Sequence, residues 1–307
     1  MFPNVSGSTM QYLADLNRTQ EAINQTQAQV TSGKQVEQAS DAPAEVAEIL
    51  QMQANIAQNQ QVQTNLGSAT AELNGADTAL QTAVSIIQQA QSLAVEGATS
   101  TSTAETRAEL AQQVSGLQAE LVGISQTQVD GRYIFSGDQD TEAPYQLDSS
   151  QPEGVQQLVT APATRTITDA SGTTIAVALT AQQIFDPQNS NNTPATGNTF
   201  AAINDLLTSL QNNDQAGVQT AATELQSANA YVNQQMTFYG EAENRISDAT
   251  TLAQKFQTQQ QTDLGNLQDT DIPTAAVALN QEQVQMQAAT SVEAGILQMR
   301  NIFSYLG

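Results

Sequence analysis

The sequence predicts a mainly α protein: a long antiparallel helical bundle or coiled coil, formed by both chain ends, with a small β-rich inserted domain. Three observations lead there. From Leu66 to Ala94, apolar residues recur at alternating spacings of three and four without a slip, the period of a helix buried along a narrow seam. Similar spacing returns in the last third of the chain. Between the two, residues 138–199 hold five of the eight prolines, set among Asp, Ser, Asn and Gly, a texture that no long helix sustains.

The first helix is expected over 9–33. Leu13, Leu16, Ile23 and Val30 fall on a heptad grid, with Gln20 and Gln27 completing the seam. Polar seam positions fix register at a cost in stability, so this helix needs a partner. Thr31-Ser32-Gly33 ends it. Ser40 or Asp41 can cap the next helix, Pro43 suits its first turn, and Glu45 and Glu48 lie near its positive end. No stop follows until about Gly97, a helix about 80 Å long at 1.5 Å per residue. Its seam reads Leu66, Ala69, Leu73, Ala76, Leu80, Ala83, Ile87, Ala90, Ala94, and the small residues allow close packing of a second helix. After a Thr/Ser-rich turn, a third helix runs from Thr103 to about Gln128, with Leu110, Val114, Leu117, Leu121 and Ile124 on one face. The short connection makes the two antiparallel neighbours.

Within the insertion, Arg165-Thr-Ile-Thr and Thr173 to Leu179 flank Asp169-Ala-Ser-Gly172, the pattern of a β-hairpin. Helix resumes at Phe200, breaks at Asn212-Asn213-Asp214, and continues from Ala216 to about Leu267. Asp271-Ile272-Pro273 opens the last helix, whose stripe is Ala275, Ala278, Ala289, Val292, Ile296, Met299, Phe303 and Leu306. Val277, Leu279, Val284, Met286 and Leu297 fall off that stripe, so this helix is expected to have more than one neighbour. The organisation expected is thus terminal helical assembly arms at 1–42 and 271–307, a helical bundle domain from 43–137 and 200–270, and the β-rich insertion at 138–199.

Composition closes off many functions. The 307 residues carry 8 basic and 31 acidic side chains, a formal charge of −23. Such a surface repels nucleic acid and anionic lipid. No Cys and no His are present, which removes disulfides, thiolate chemistry, the commonest general base and the commonest metal ligand. No catalytic residues, cofactor or metal are expected, and the chain does not look like an enzyme. No run is long and apolar enough to insert in a membrane. Met1-Phe2-Pro3-Asn4 is not followed by the basic stretch and apolar run of a cleaved signal peptide. Asp41, Glu45 and Glu48 read better as acids favoured by the helix dipole than as an acid–base pair. Asp138, Asp140 and Glu142 alternate like a calcium loop, but Ala143 stands where that loop needs Gly; a solvated loop is expected.

Two segments resemble a known family. Val30-Thr31-Ser32-Gly33-Lys34-Gln35-Val36, followed by Ser40-Asp41-Ala42-Pro43, resembles the flagellin superfamily signature, with Ala42 in place of a second Asp. The segment from Asp271 through Val292 to Leu306-Gly307 is similar to that family's closing helix. Gly131-Arg132-Tyr133-Ile134-Phe135-Ser136-Gly137 resembles the segment typical of the superfamily's hook–filament junction branch. The resemblance implies a structural motility protein of the extracellular bacterial flagellum, exported unfolded by the type III route without a cleaved signal. It implies a homo-oligomeric ring between hook-associated protein 1 and flagellin, and an export chaperone as a further partner. Leu13, Leu16, Ile23, Val30, Val292, Ile296, Met299, Phe303 and Leu306 are the candidate intersubunit seam residues. Ser32, Gly33, Lys34, Asp41, Pro43, Gly131, Arg132, Tyr133, Phe135 and Gly137 are the motif residues. A filament flagellin is the alternative, and a glycan-binding role for 138–199 is a third reading.

Overall fold

The structure, a computed structural model, describes residues 7–38, 41–161 and 164–303, with side chains described except at 7–9 and 296–303. The expected Ser40 cap and Pro162 lie outside the described residues. The helices are α1 (Gly7–Ser32), α2 (Pro43–Gly97), α3 (Ala104–Ser125), α4 (Ala181–Phe185), α5 (Thr199–Gln211), α6 (Gln215–Gln268) and α7 (Ile272–Phe303). The strands are β1 (Gln128–Val129), β2 (Arg132–Tyr133), β3 (Tyr145–Leu147), β4 (Val155–Gln157), β5 (Thr166–Thr168) and β6 (Thr174–Ala176). They pair as three two-stranded antiparallel sheets, β1–β2, β3–β4 and β5–β6. The fold is mainly α with a small β region, as expected. The chain forms two compact units, one of residues 59–256 and one of residues 1–58 with 257–307.

The larger unit is organised by the seam of α2. Leu66, Leu73, Leu80 and Ile87 are fully buried, with Ala69, Ala76, Ala83, Ala90 and Ala94 between them. Val218, Leu225, Val232, Tyr239, Ile246 and Ala253 of α6 join the same core, as do Leu110, Val114 and Leu121 of α3 and Phe200, Ile203, Leu206 and Leu210 of α5. Thr103 caps α3 by accepting the Thr106 amide at 3.1 Å. Arg107, a cation buried in the bundle, fastens the turn between α2 and α3. Its guanidinium donates to the Gly97 carbonyl at 2.8 Å and the Thr99 carbonyl at 3.1 Å, and reaches Asn213 Oδ1 in the turn between α5 and α6. Carbonyls at the end of α2 and in the turn after it are thus satisfied by a side chain from the first turn of α3.

The insertion shares this core. The expected hairpin is β5–β6, registered Thr166↔Ala176, Ile167↔Ile175 and Thr168↔Thr174. The Asp169 carboxylate accepts the Ser171 and Thr173 amides, both at 2.8 Å, and closes its turn. Sequence periodicity did not reveal β1–β2, β3–β4 or α4, because strands of two or three residues carry no period-two signal. For β1–β2 a signal existed: Asp130 and Gly131 both have positive φ, 52° and 77°, and Asp-Gly is a preferred pair for that turn. The scarce aromatics gather here. Phe135 meets Phe185 edge-on at 6.0 Å, and Phe200 contacts Phe185 at 5.9 Å and Tyr145 at 4.9 Å.

In the smaller unit α1 packs against α7. The inward positions of α1 are Tyr12, Leu16, Thr19, Ile23, Thr26 and Val30, and those of α7 include Ala275, Leu279, Glu282, Met286 and Ala289. Gln20 and Gln27, expected in the seam, are exposed. Tyr12 and Thr26 face α7 instead: the Tyr12 hydroxyl donates to the Ala289 carbonyl at 3.0 Å, and Thr26 Oγ1 donates to Glu282 Oε1 at 3.3 Å. Leu16, Ile23 and Val30 keep their expected inward places, while Tyr12, Thr19 and Thr26 take the places expected of Leu13, Gln20 and Gln27.

Replacing Leu73, which is completely buried, by Ala should cost about 2–5 kcal/mol in urea unfolding of the chain. Replacing exposed Leu13 by Ala in the monomer should change stability by no more than about 0.5 kcal/mol.

Candidate assembly surfaces

In the smaller unit, the turn after α1 is paired with the junction of α6 and α7. Lys34 and Asp269 form an antiparallel bridge. The Gln35 amide donates to the Gln268 carbonyl at 2.7 Å, and the Thr270 amide to the Gly33 carbonyl at 2.9 Å. Gly33 closes α1 at φ +71°, a left-handed helix end that favours glycine. The Ser32 hydroxyl accepts the Lys34 amide at 3.2 Å. Asp41 turns its carboxylate onto the preceding loop, accepting the Glu37 and Gln38 amides at 3.0 and 2.7 Å. Pro43 is the exposed first residue of α2.

The candidate seam residues occupy different places. Ile23 is buried, Leu16 and Val30 half-buried, and Leu13 exposed. Val292 is 61% exposed. Ile296, Met299 and Phe303 belong to α7, with side chains outside the described residues; Leu306 lies outside them altogether. Two residues left off the expected stripe form a second one. Val277 and Val284 are exposed on α7 seven residues apart, and Val292 follows eight residues later, so the three share a face. Asn280, Gln281 and Gln287 lie between them on the same face, so the face mixes apolar and uncharged polar groups.

In the larger unit, the segment 131–137 is mostly internal. Ile134, Phe135 and Ser136 are buried, Tyr133 half-buried, and Arg132 exposed. The Phe135 carbonyl accepts the Ala181 amide at 2.7 Å, and the Tyr133 amide donates to the Asp140 carbonyl at 2.8 Å. Gly137 turns the chain at φ 61°. Charged groups fix the segment from below. Arg165 bonds Glu72 of α2 at 3.0 Å, stands 3.7 Å from Asp140, and donates to the Ile134 carbonyl at 3.2 Å. Arg132 pairs with the same Asp140 at 2.7 Å. Asp138 and Glu142 are exposed as a solvated loop requires, but Asp140 is buried and paired. Sequence reading missed Arg165 and Glu72, since 93 positions separate them. Beside them, Tyr239 is wholly buried and accepts the Leu179 amide at 3.2 Å. Burial raises its hydroxyl above the usual tyrosine range, so it stays neutral.

Among the described residues no group of acidic side chains is arranged to hold a metal, and no helix is long and apolar enough to cross a membrane.

Residues 4–140 match the family described as the bacterial flagellin N-terminal helical region. The chain is 27% identical over 209 residues to flagellar hook-associated protein 3 of Escherichia coli, covering 66% of this chain and 65% of that protein. It therefore spans just under two thirds of that relative. Among solved structures, a flagellar hook-associated protein of Vibrio parahaemolyticus superposes with a TM-score of 0.64 at 19% identity, over 75% of this chain and 100% of that one. Flagellar hook-associated protein 3 of Legionella pneumophila superposes with a TM-score of 0.59 at 15% identity, over 71% and 98%. At these identities the structural likeness speaks to the fold.

Arg165→Ala strands Glu72, while Asp140 keeps Arg132, and should cost about 1–3 kcal/mol in urea unfolding. The loss should shrink in a Glu72→Gln background; equal losses in both backgrounds would show that the pair does not couple.

Proposed function

We propose that this chain, which carries a bacterial flagellin N-terminal helical region over residues 4–140, is a structural subunit of the hook–filament junction in the bacterial flagellum. The observation that carries the reading is its similarity to hook-associated protein 3, which runs over 209 residues. The proteins it resembles are structural ones, and α1 and α7 supply the means of assembly. Their pairing leaves Val277, Val284 and Val292 on an outer face, and burial of each against a neighbouring helix contributes about 1–2 kcal/mol.

In this reading the arms 1–42 and 271–307 carry the intersubunit packing. The helices of 43–137 and 200–270 and the insertion 138–199 form the outer body. Copies make a ring, with one face toward hook-associated protein 1 and the other toward flagellin. Different neighbours above and below require heterologous contacts. The protein sits outside the cell, after export without a cleaved signal and with a chaperone on the way. A filament flagellin is the second reading, because the matched region is named for flagellins.

Immunogold labelling of intact flagella separates the two. A junction subunit places label only at the hook-proximal end of the filament, whereas a flagellin places it along the whole length. A deletion strain should shed filaments and lose swimming; normal swimming with attached filaments would refute the junction role. Val277→Asp combined with Val284→Asp should leave the thermal unfolding of the monomer unchanged and abolish its incorporation into flagella.

A further inference from the structure

Both strands of a two-stranded sheet are edges, and every second residue of each turns its amide and carbonyl outward. Beside β1–β2 an outward group is taken: the Tyr133 amide donates to the Asp140 carbonyl at 2.8 Å. Beside β3–β4 the Tyr145 carbonyl accepts Gln126 Nε2 at 2.7 Å. The hairpin β5–β6 differs. The Val177 amide donates to the Arg165 carbonyl at 3.0 Å and the Asp169 amide to the Thr173 carbonyl at 2.9 Å. By alternation Ile167 and Ile175 are also a hydrogen-bonded pair, and the backbone groups of Thr166, Thr168, Thr174 and Ala176 point outward. Among the described residues none of these outward groups has a hydrogen-bond partner.

The hairpin is fixed from one side and open on the other. Ile175 belongs to the core of the larger unit and Ile167 packs against it. Arg165, at the base of β5, bonds Glu72 of α2 at 3.0 Å, and Asp169 closes the turn. Thr166, Thr168, Thr174 and Ala176 are exposed and uncharged. The turn stands clear, since a Cβ on Gly172 would meet nothing within 4 Å. Sheets guard their open edges with charge, proline or a bulge. Neither Thr166-Ile167-Thr168 nor Thr174-Ile175-Ala176 has a charge or a proline, and their register is continuous. A strand edge held in shape before a partner arrives loses little conformational freedom on pairing.

We propose that β5–β6 is a strand-pairing surface between copies of this chain, with β6 of one copy lying antiparallel beside β5 of the next. Two observations select a second copy as the occupant. The first is charge. Copies with a formal charge of −23 repel one another, and a joint between these uncharged edges brings no like charges face to face. The second is topology. β5 and β6 run in opposite directions, so copies set side by side in one orientation place β6 of each antiparallel to β5 of its neighbour. Such a contact is head-to-tail, and it leaves a free edge on the last copy until a ring closes.

Main-chain hydrogen bonds supply the pairing, and the solvent-facing threonines of the two copies meet across the joint, where such side chains bond one another. The pairing rests on the reading of the chain as a subunit repeated in the flagellum. It adds to that reading a contact made by the insertion, remote in sequence from α1 and α7.

The chain has no cysteine, so a disulfide between introduced cysteines reports the contact. Thr166→Cys or Thr168→Cys on one copy is co-expressed with Thr174→Cys or Ala176→Cys on another, and intact flagella are oxidised. Placing the cysteines on different copies keeps the internal partners 166–176 and 168–174 from joining. A dimer holding both variants should form in flagella and be absent from the dilute monomer. Chains incorporated into flagella without a mixed dimer in any combination would overturn the pairing and leave the assembly role standing. A wild-type chain absent from flagella would overturn both. Hydrogen exchange of the wild type reads the same contact without substitution. The amides of Thr166, Thr168, Thr174 and Ala176 should gain protection on assembly, and unchanged exchange at all four would overturn the pairing.

Discussion

Leu66, Leu73, Leu80 and Ile87 lie seven residues apart along α2, and all four are fully buried. The rest of the larger unit depends on that seam. Each such side chain contributes about 1.5–3 kcal/mol on burial, and side chains of α3, α5 and α6 complete the same core. The insertion has no comparable core of its own. Its Tyr145 and Phe185 meet Phe200 of α5, Phe185 also meets Phe135 edge-on, and all four belong to the same cluster. Three two-stranded sheets would not stand alone; they are held by the bundle, by Arg165 on Glu72, by Asn204 on the Pro152 carbonyl and by Gln126 on the Tyr145 carbonyl.

The smaller unit is built on other chemistry. α1 and α7 meet through Tyr12, Thr26 and Glu282 as much as through apolar contact. One oxygen of Glu282 is buried there without a partner. Hydrogen bonds of this kind contribute only about 0.5–1.5 kcal/mol each, so the pair is weakly fastened beside the leucine seam of α2. Its outer face carries valines and glutamines and few charges. A helix pair that binds its own partner weakly and displays exposed valines among uncharged polar side chains is suited to binding more copies. The acidity of the chain opposes that step: with a formal charge of −23, packing of copies should be weaker at low salt, where repulsion is least screened.

Much of this was legible in the sequence, and the reasons differ by element. The seam of α2, the turn near Gly97 and the break at Asn212–Asp214 were visible because long helices repeat their signal many times. The hairpin at Asp169–Gly172 was visible because turn chemistry flanked two β-rich runs. The register of α1 was not, because Tyr12 and Thr26 choose it through partners more than 250 residues away. Arg107 and Arg165 were hidden because the meaning of a buried charge lies in what folds against it. The segment 131–137 was recognised as a motif, yet only the structure shows that Phe135 faces the core while Arg132 stays outside.

The account is tested most directly by hydrogen exchange of the purified monomer and of intact flagella, compared amide by amide. Amides of α2 between Leu66 and Ala94 should be equally protected in both states. Those of α1 and α7 should gain strong protection only on assembly, because neighbours cover the faces that the monomer leaves open. Equal protection of α1 and α7 in the two states would contradict the assembly role proposed for them.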